Sequence, residues 1–118
     1  MATEYEDLIK KAYSAFNERD IAKALSTMQT DVHWCKAWEG GYISGHNEID
    51  EYWTRQWKEI NPIVKPEEFS ERANGSLEVL VKQKVSDLQD KLIFDGYVKH
   101  IYTFKNGLIK TMDIELVA

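Results

Sequence analysis

The stretch Phe104-Lys105-Asn106-Gly107-Leu108-Ile109 sets an Asn-Gly pair between two β-rich runs. Both residues tolerate the positive φ of a tight turn, so this is the strongest short-range signal for a two-residue hairpin. It predicts strands over 92–104 and 108–117. Upstream, Leu77, Val79, Val81 and Val85 alternate with Glu78, Lys82 and Lys84, the period of a half-buried strand. The second half of the chain therefore reads as an antiparallel sheet.

The first half reads differently. Thr3 and Glu6 have the spacing of a capping box, and Tyr5, Leu8, Ile9, Ala12, Tyr13 and Phe16 follow at helical spacing. Asp20 can cap a shorter helix that carries Ile21, Ala24, Leu25 and Met28 on one face. Residues 32–38 are β-rich and aromatic, and Gly40, Gly41 and Gly45 break that strand. A third helix carries Ile49, Tyr52, Trp53, Gln56, Trp57 and Ile60 along one side. Pro62 and Pro66 read as punctuation between the two halves. Helices first and strands after predict an α+β domain, with three helices packed on a curved antiparallel sheet around an apolar pocket.

The chain has 118 residues, the size of a single domain over 1–118, and can bury one real core. Its net charge of −5 argues against a phosphate-backbone binder, so no nucleic acid is expected. The only cysteine, Cys35, allows no intrachain disulfide and fits a reducing, cytoplasmic setting. The N-terminus lacks the pattern of a signal peptide, and no apolar run approaches a membrane span.

The hairpin permits a register count. Lys105 faces Leu108, Phe104 faces Ile109, Tyr102 faces Thr111, and His100 faces Asp113. Directly opposed residues share a face, with Cβ atoms about 4.5–5.5 Å apart. A carboxylate beside an imidazole fixes its tautomer and raises its basicity, which a general base requires. His100 and Asp113 are therefore the candidate catalytic pair. The alternatives are an ordinary cross-strand ion pair, or a bulge that breaks the register.

Four tryptophans, Trp34, Trp38, Trp53 and Trp57, can wall a pocket or simply fill the core. Tyr13 and Tyr102 fall on the same inward faces. Alternation from Val32 and Trp34 turns Lys36 inward, where its amine can form a Schiff base or anchor an anion. The opposing reading sends Lys36 out to solvent at the rim. Cys35 has no activating neighbour and reads as an inert thiol. No histidine and carboxylate spacing forms a metal motif, and no phosphate loop is present, so no metal and no cofactor are expected.

The run AYSAFNERDIAKAL, then Asp31-Val32-His33-Trp34, Ser44-Gly45, Ile49, Tyr52-Trp53 and FKNGLIKTMDI resembles the SnoaL-like proteins of the nuclear transport factor 2-like (NTF2-like) superfamily, which includes ketosteroid isomerase. The resemblance covers nearly the whole chain and implies a cone-shaped α+β barrel, a pocket at its open end, and a homodimer through the outer face of the sheet. The isomerase's tyrosine falls at Ala12, its aspartate base at Lys36, and its oxyanion-hole aspartate at His100. All three are replaced, which excludes steroid isomerisation by that mechanism. The resemblance also implies a pocket-facing His100, with Asp113 across from it. Relatives that use a His–Asp dyad make cofactor-free proton transfer on a small apolar molecule the expected activity, of isomerase, cyclase or lyase type. The alternative is a non-catalytic module for ligand binding or dimerisation.

Overall fold

The computed structural model describes residues 2–36 and 39–117, with side chains from Tyr5 onward. The Thr3 capping box and Trp38 lie outside the described residues.

The expected hairpin is present. Asn106 and Gly107 have φ values of 53° and 80°, and Lys105 pairs with Leu108 across the turn between β5 (Leu92–Lys105) and β6 (Leu108–Leu116). A side chain at position 107 would sit in a left-handed conformation, which costs about 1–2 kcal/mol for a non-glycine residue. Gly107→Ala is expected to lower stability by about that amount, read as a shift in the urea midpoint with an unchanged slope.

One pair beyond the turn the regular count ends. Phe104 pairs with Ile109, but Thr103 pairs with Thr111, so Lys110 is an extra residue on β6. This bulge reverses the facing of every later residue on β6. Tyr102 now opposes Met112, and His100 opposes Ile114. Apolarity drives the shift, because the inward positions become Ile109, Met112 and Ile114 instead of Ile109, Thr111 and Asp113.

The remaining strands are β1 (Met28–Cys35), β2 (Tyr42–Ser44), β3 (Ile60–Glu71) and β4 (Leu77–Asp87). They form one six-stranded sheet in the order β2-β1-β6-β5-β4-β3. The sheet is curved and open, and it is mixed where an antiparallel one was expected: β1 runs parallel to β6, and the other neighbours are antiparallel. The two prolines do not punctuate. Both lie inside β3, which is an edge strand, the place where a missing N–H costs the ladder nothing. β1 starts four residues before the expected boundary and ends at Cys35.

The helices are α1 (Ala2–Asn17), α2 (Ile21–Leu25) and α3 (His46–Trp57). The side chain of Asp20 accepts the backbone N–H of Lys23 at 3.1 Å and so caps α2 as expected. The third helix stops at Trp57, short of Ile60, which opens β3 instead. Ile9, Ala12, Tyr13 and Ala15 of α1 are buried, as are Ile49, Tyr52 and Trp53 of α3. They meet Val79, Val81, Val98, Tyr102, Ile109 and Met112 on the concave face of the sheet, which places the core between the helices and the sheet. No helix among the described residues is long and apolar enough to cross a membrane.

Candidate functional site

The concave face forms a partly open chamber with about 60 Å³ of water-accessible space, which widens towards solvent. Helix α1 contributes Ala12, Tyr13 and Phe16, and α3 contributes Tyr52, Trp53 and Gln56. The sheet adds Met28, Trp34, Cys35, Val64, Gln83, His100, Met112 and Ile114.

His100 is the only histidine lining this chamber, and it is 8 % exposed. Its Nδ1 lies 2.7 Å from the Tyr13 hydroxyl, and the Tyr102 hydroxyl donates to that of Tyr13 at 2.8 Å. The donor order then runs from Tyr102 to Tyr13 to Nδ1, which leaves the ring proton on Nε2. Nε2 has no hydrogen-bond partner among the described residues. Burial depresses the imidazole pKa to about 4, so the ring is neutral at pH 7. Burial likewise raises both phenols above their ordinary value, so both remain protonated donors. The three residues come from α1 and β5, and the two contacts span 87 and 89 positions in sequence.

Asp113 does not join them. It pairs with Ile101 on the outer face and accepts a hydrogen bond from the Tyr42 hydroxyl. The Lys110 bulge is the cause, and the expected His100–Asp113 dyad is absent. Tyr42 stacks on His33 at 4.7 Å and is half exposed. The Asp113 carboxylate raises the Tyr42 phenol pKa. Asp113→Ala is therefore expected to bring the Tyr42 titration down, seen in ultraviolet phenolate absorbance, while leaving the chamber and its ligand binding unchanged.

Lys36 is also outside. β1 ends before it, and a turn follows, with the Gly40 N–H donating to the Lys36 carbonyl at 2.7 Å. The Lys36 ammonium lies 3.4 Å from Glu39, so it belongs to a rim ion pair and not to the chamber. Trp34 and Trp53 line the chamber edge to face, with centroids 5.8 Å apart. Trp57 lies behind them, packed against Trp53 and Phe16 beneath the Arg19 guanidinium, and is not a wall. Tyr102 is buried and acts on the chamber through Tyr13. Burial raises the Cys35 pKa, which keeps it a thiol.

Two polar lining residues, Gln56 and Gln83, are not among the site residues expected from the sequence. Gln56 stands on the apolar stripe of α3, and Gln83 interrupts the alternation Val79, Val81, Val85 on β4. A polar residue on an otherwise apolar stripe was the available signal. Among the described residues, no group of histidine, cysteine and carboxylate side chains could hold a metal ion.

No family model and no curated protein matches the chain. Solved structures do. An NTF2-like protein from Burkholderia pseudomallei superposes with a TM-score of 0.82 at 22 % identity, over 97 % of this chain and 91 % of that one. The chain has the NTF2-like, SnoaL-like fold. TerC, co-crystallised with polyporic acid, superposes on this NTF2-like chain with a TM-score of 0.83 at 25 % identity, over 97 % and 92 % of the two chains. SalBIII, an epoxide hydrolase/cyclase-like enzyme of pyran ring formation in salinomycin, gives 0.81 at 13 % identity, over 98 % and 92 %. Within this fold the chain is a pocket protein whose wall carries His100, while the isomerase base position, Lys36, points away.

Proposed function

We propose that this chain binds a small, mostly apolar, oxygen-bearing molecule and moves a proton on it without a cofactor, with His100 as the proton-handling group. The observation that carries this reading is the buried chain Tyr102–Tyr13–His100, which ends at a neutral imidazole in the chamber wall. A neutral imidazole N–H can polarise a carbonyl and hold the negative charge that develops on its oxygen. When the ring proton exchanges through solvent from Nε2 to Nδ1 and the two hydroxyls rotate together, Nδ1 donates to Tyr13 and Nε2 becomes an acceptor. The same ring can then give or take a proton at Nε2.

A second reading, binding without turnover, has its own support. No charged side chain lines the chamber among the described residues, and an imidazole with a pKa of about 4 is a weak base. Acetophenone in deuterium oxide separates the two. Methyl-proton exchange accelerated by the wild type and lost in His100→Ala supports proton transfer. Saturable binding without exchange supports the binding module, and neither result overturns both readings.

The dimer belongs to the same proposal. Ile63 and Tyr97 are exposed on the convex face of the sheet and offer an apolar surface for a second copy. Sedimentation analysis of Tyr97→Lys against the wild type tests it. The single cysteine supports a cytoplasmic setting.

A further inference from the structure

Gln56 is 7 % exposed, lines the chamber, and its carboxamide makes no hydrogen bond to any described residue. The amide atoms are not sealed in the core: they keep accessible surface at the chamber, so a bound molecule can reach them. Packing does not explain the amide, since the position lies on the apolar stripe of α3 where leucine or methionine would fill the same space. Gln83 presents a second carboxamide on the opposite, sheet side of the same chamber, also without a partner among the described residues. The lining also carries the hydroxyls of Tyr13 and Tyr52, the indole N–H groups of Trp34 and Trp53 and the Cys35 thiol, so its polar groups are all neutral and no charged side chain among the described residues faces a buried charge there.

We propose that Gln56 is a specificity-determining residue, and that the ligand class is uncharged, planar molecules with a carboxamide-like edge. This rests on His100 being the polar contact of the chamber. The ligand oxygen accepts from Nε2–H of His100, and an adjacent N–H or O–H donates to the Gln56 carbonyl oxygen. The aromatic walls Trp34, Trp53 and Phe16 favour a flat molecule. The chamber's accessible space of about 60 Å³ admits the polar edge, with the ring towards its open side.

Three probes of nearly equal shape test this: benzamide, acetophenone and benzoate. Acetophenone keeps the carbonyl and loses the donor, while benzoate adds a charge. Ligand-observed NMR titration of the wild-type protein is expected to rank benzamide about tenfold tighter than acetophenone, the worth of one hydrogen bond whose partner is otherwise left unpaired. Benzoate is expected to bind at least tenfold more weakly than acetophenone, because its charge finds no partner. Gln56→Met should erase the preference of benzamide over acetophenone, and the wild-type comparison stands by itself should that variant fold poorly. Equal binding of benzamide and acetophenone by the wild type, or tight binding of benzoate, overturns the inference. Binding of benzamide that depends on Gln56 but is unaltered in His100→Ala overturns the reading of His100 instead. Absence of binding by all three overturns both.

Discussion

Tyr13→Phe is expected to destabilise the protein by about 3 kcal/mol, far more than the loss of one oxygen atom suggests. The Tyr13 hydroxyl is the middle member of the chain, receiving from Tyr102 and meeting Nδ1 of His100. Removing it strands two buried polar groups at once, each worth about 1–3 kcal/mol when left unpaired. Tyr102→Phe removes an end of the chain and strands nothing, because Tyr13 still donates to Nδ1. Its expected cost is about 1 kcal/mol, one net hydrogen bond. Urea denaturation of the two variants measures the difference directly. Equal costs would show that the three groups do not act as an ordered chain. The same pair separates stability from function: Tyr13→Phe frees the imidazole to take either tautomer, so exchange on acetophenone should fall in it and persist in Tyr102→Phe.

The origin of that chain explains what was legible beforehand. Tyr13 and His100 each follow from local period, one on a helical stripe and one on a strand with alternating burial, so each could be placed inward without knowledge of the other. Their contact spans 87 positions and depends on how α1 crosses the sheet, which no local pattern encodes. The false dyad arose from the opposite error, a local rule carried too far. The Asn106-Gly107 turn fixes the first two pairs, and a count beyond them assumes an unbroken ladder. The apolar sequence contradicted that assumption, since Met112 and Ile114 are in phase with each other and out of phase with Ile109. A buried face selects register more strongly than a turn does. The prolines misled for a similar reason. Proline excludes a central strand but not an edge strand, and whether β3 is an edge depends on the order of the whole sheet. Lys36 needed the end of β1, a boundary set by the turn that closes on Gly40 and Gly41.

Acid should destabilise the fold in a window of its own. The imidazole of His100 titrates at about 4 when folded and at 6.5 when free of burial, so between these values the unfolded chain holds a proton that the folded one refuses. Stability therefore falls as pH falls from 6.5 towards 4, and the contribution is fully present above 6.5. At about 1.4 kcal/mol per pH unit the full loss is about 3 kcal/mol, a large share of the stability of a domain this size. Below this window a second loss begins. The carboxyls of Glu78 and Glu115 are held below the usual carboxylate range by the Arg72 guanidinium, so their contribution disappears only as pH drops through those lower values. His100→Gln removes the first loss and leaves the second. Its amide can still accept from Tyr13, but it does not titrate. Urea unfolding at pH 7.5, 6, 5 and 4.5 should show the wild type losing stability steadily while the variant stays nearly flat, so the gap between them narrows with acid. Parallel curves would mean that His100 takes up its proton at the same pH folded and unfolded, so that burial does not hold the ring neutral in the chamber wall.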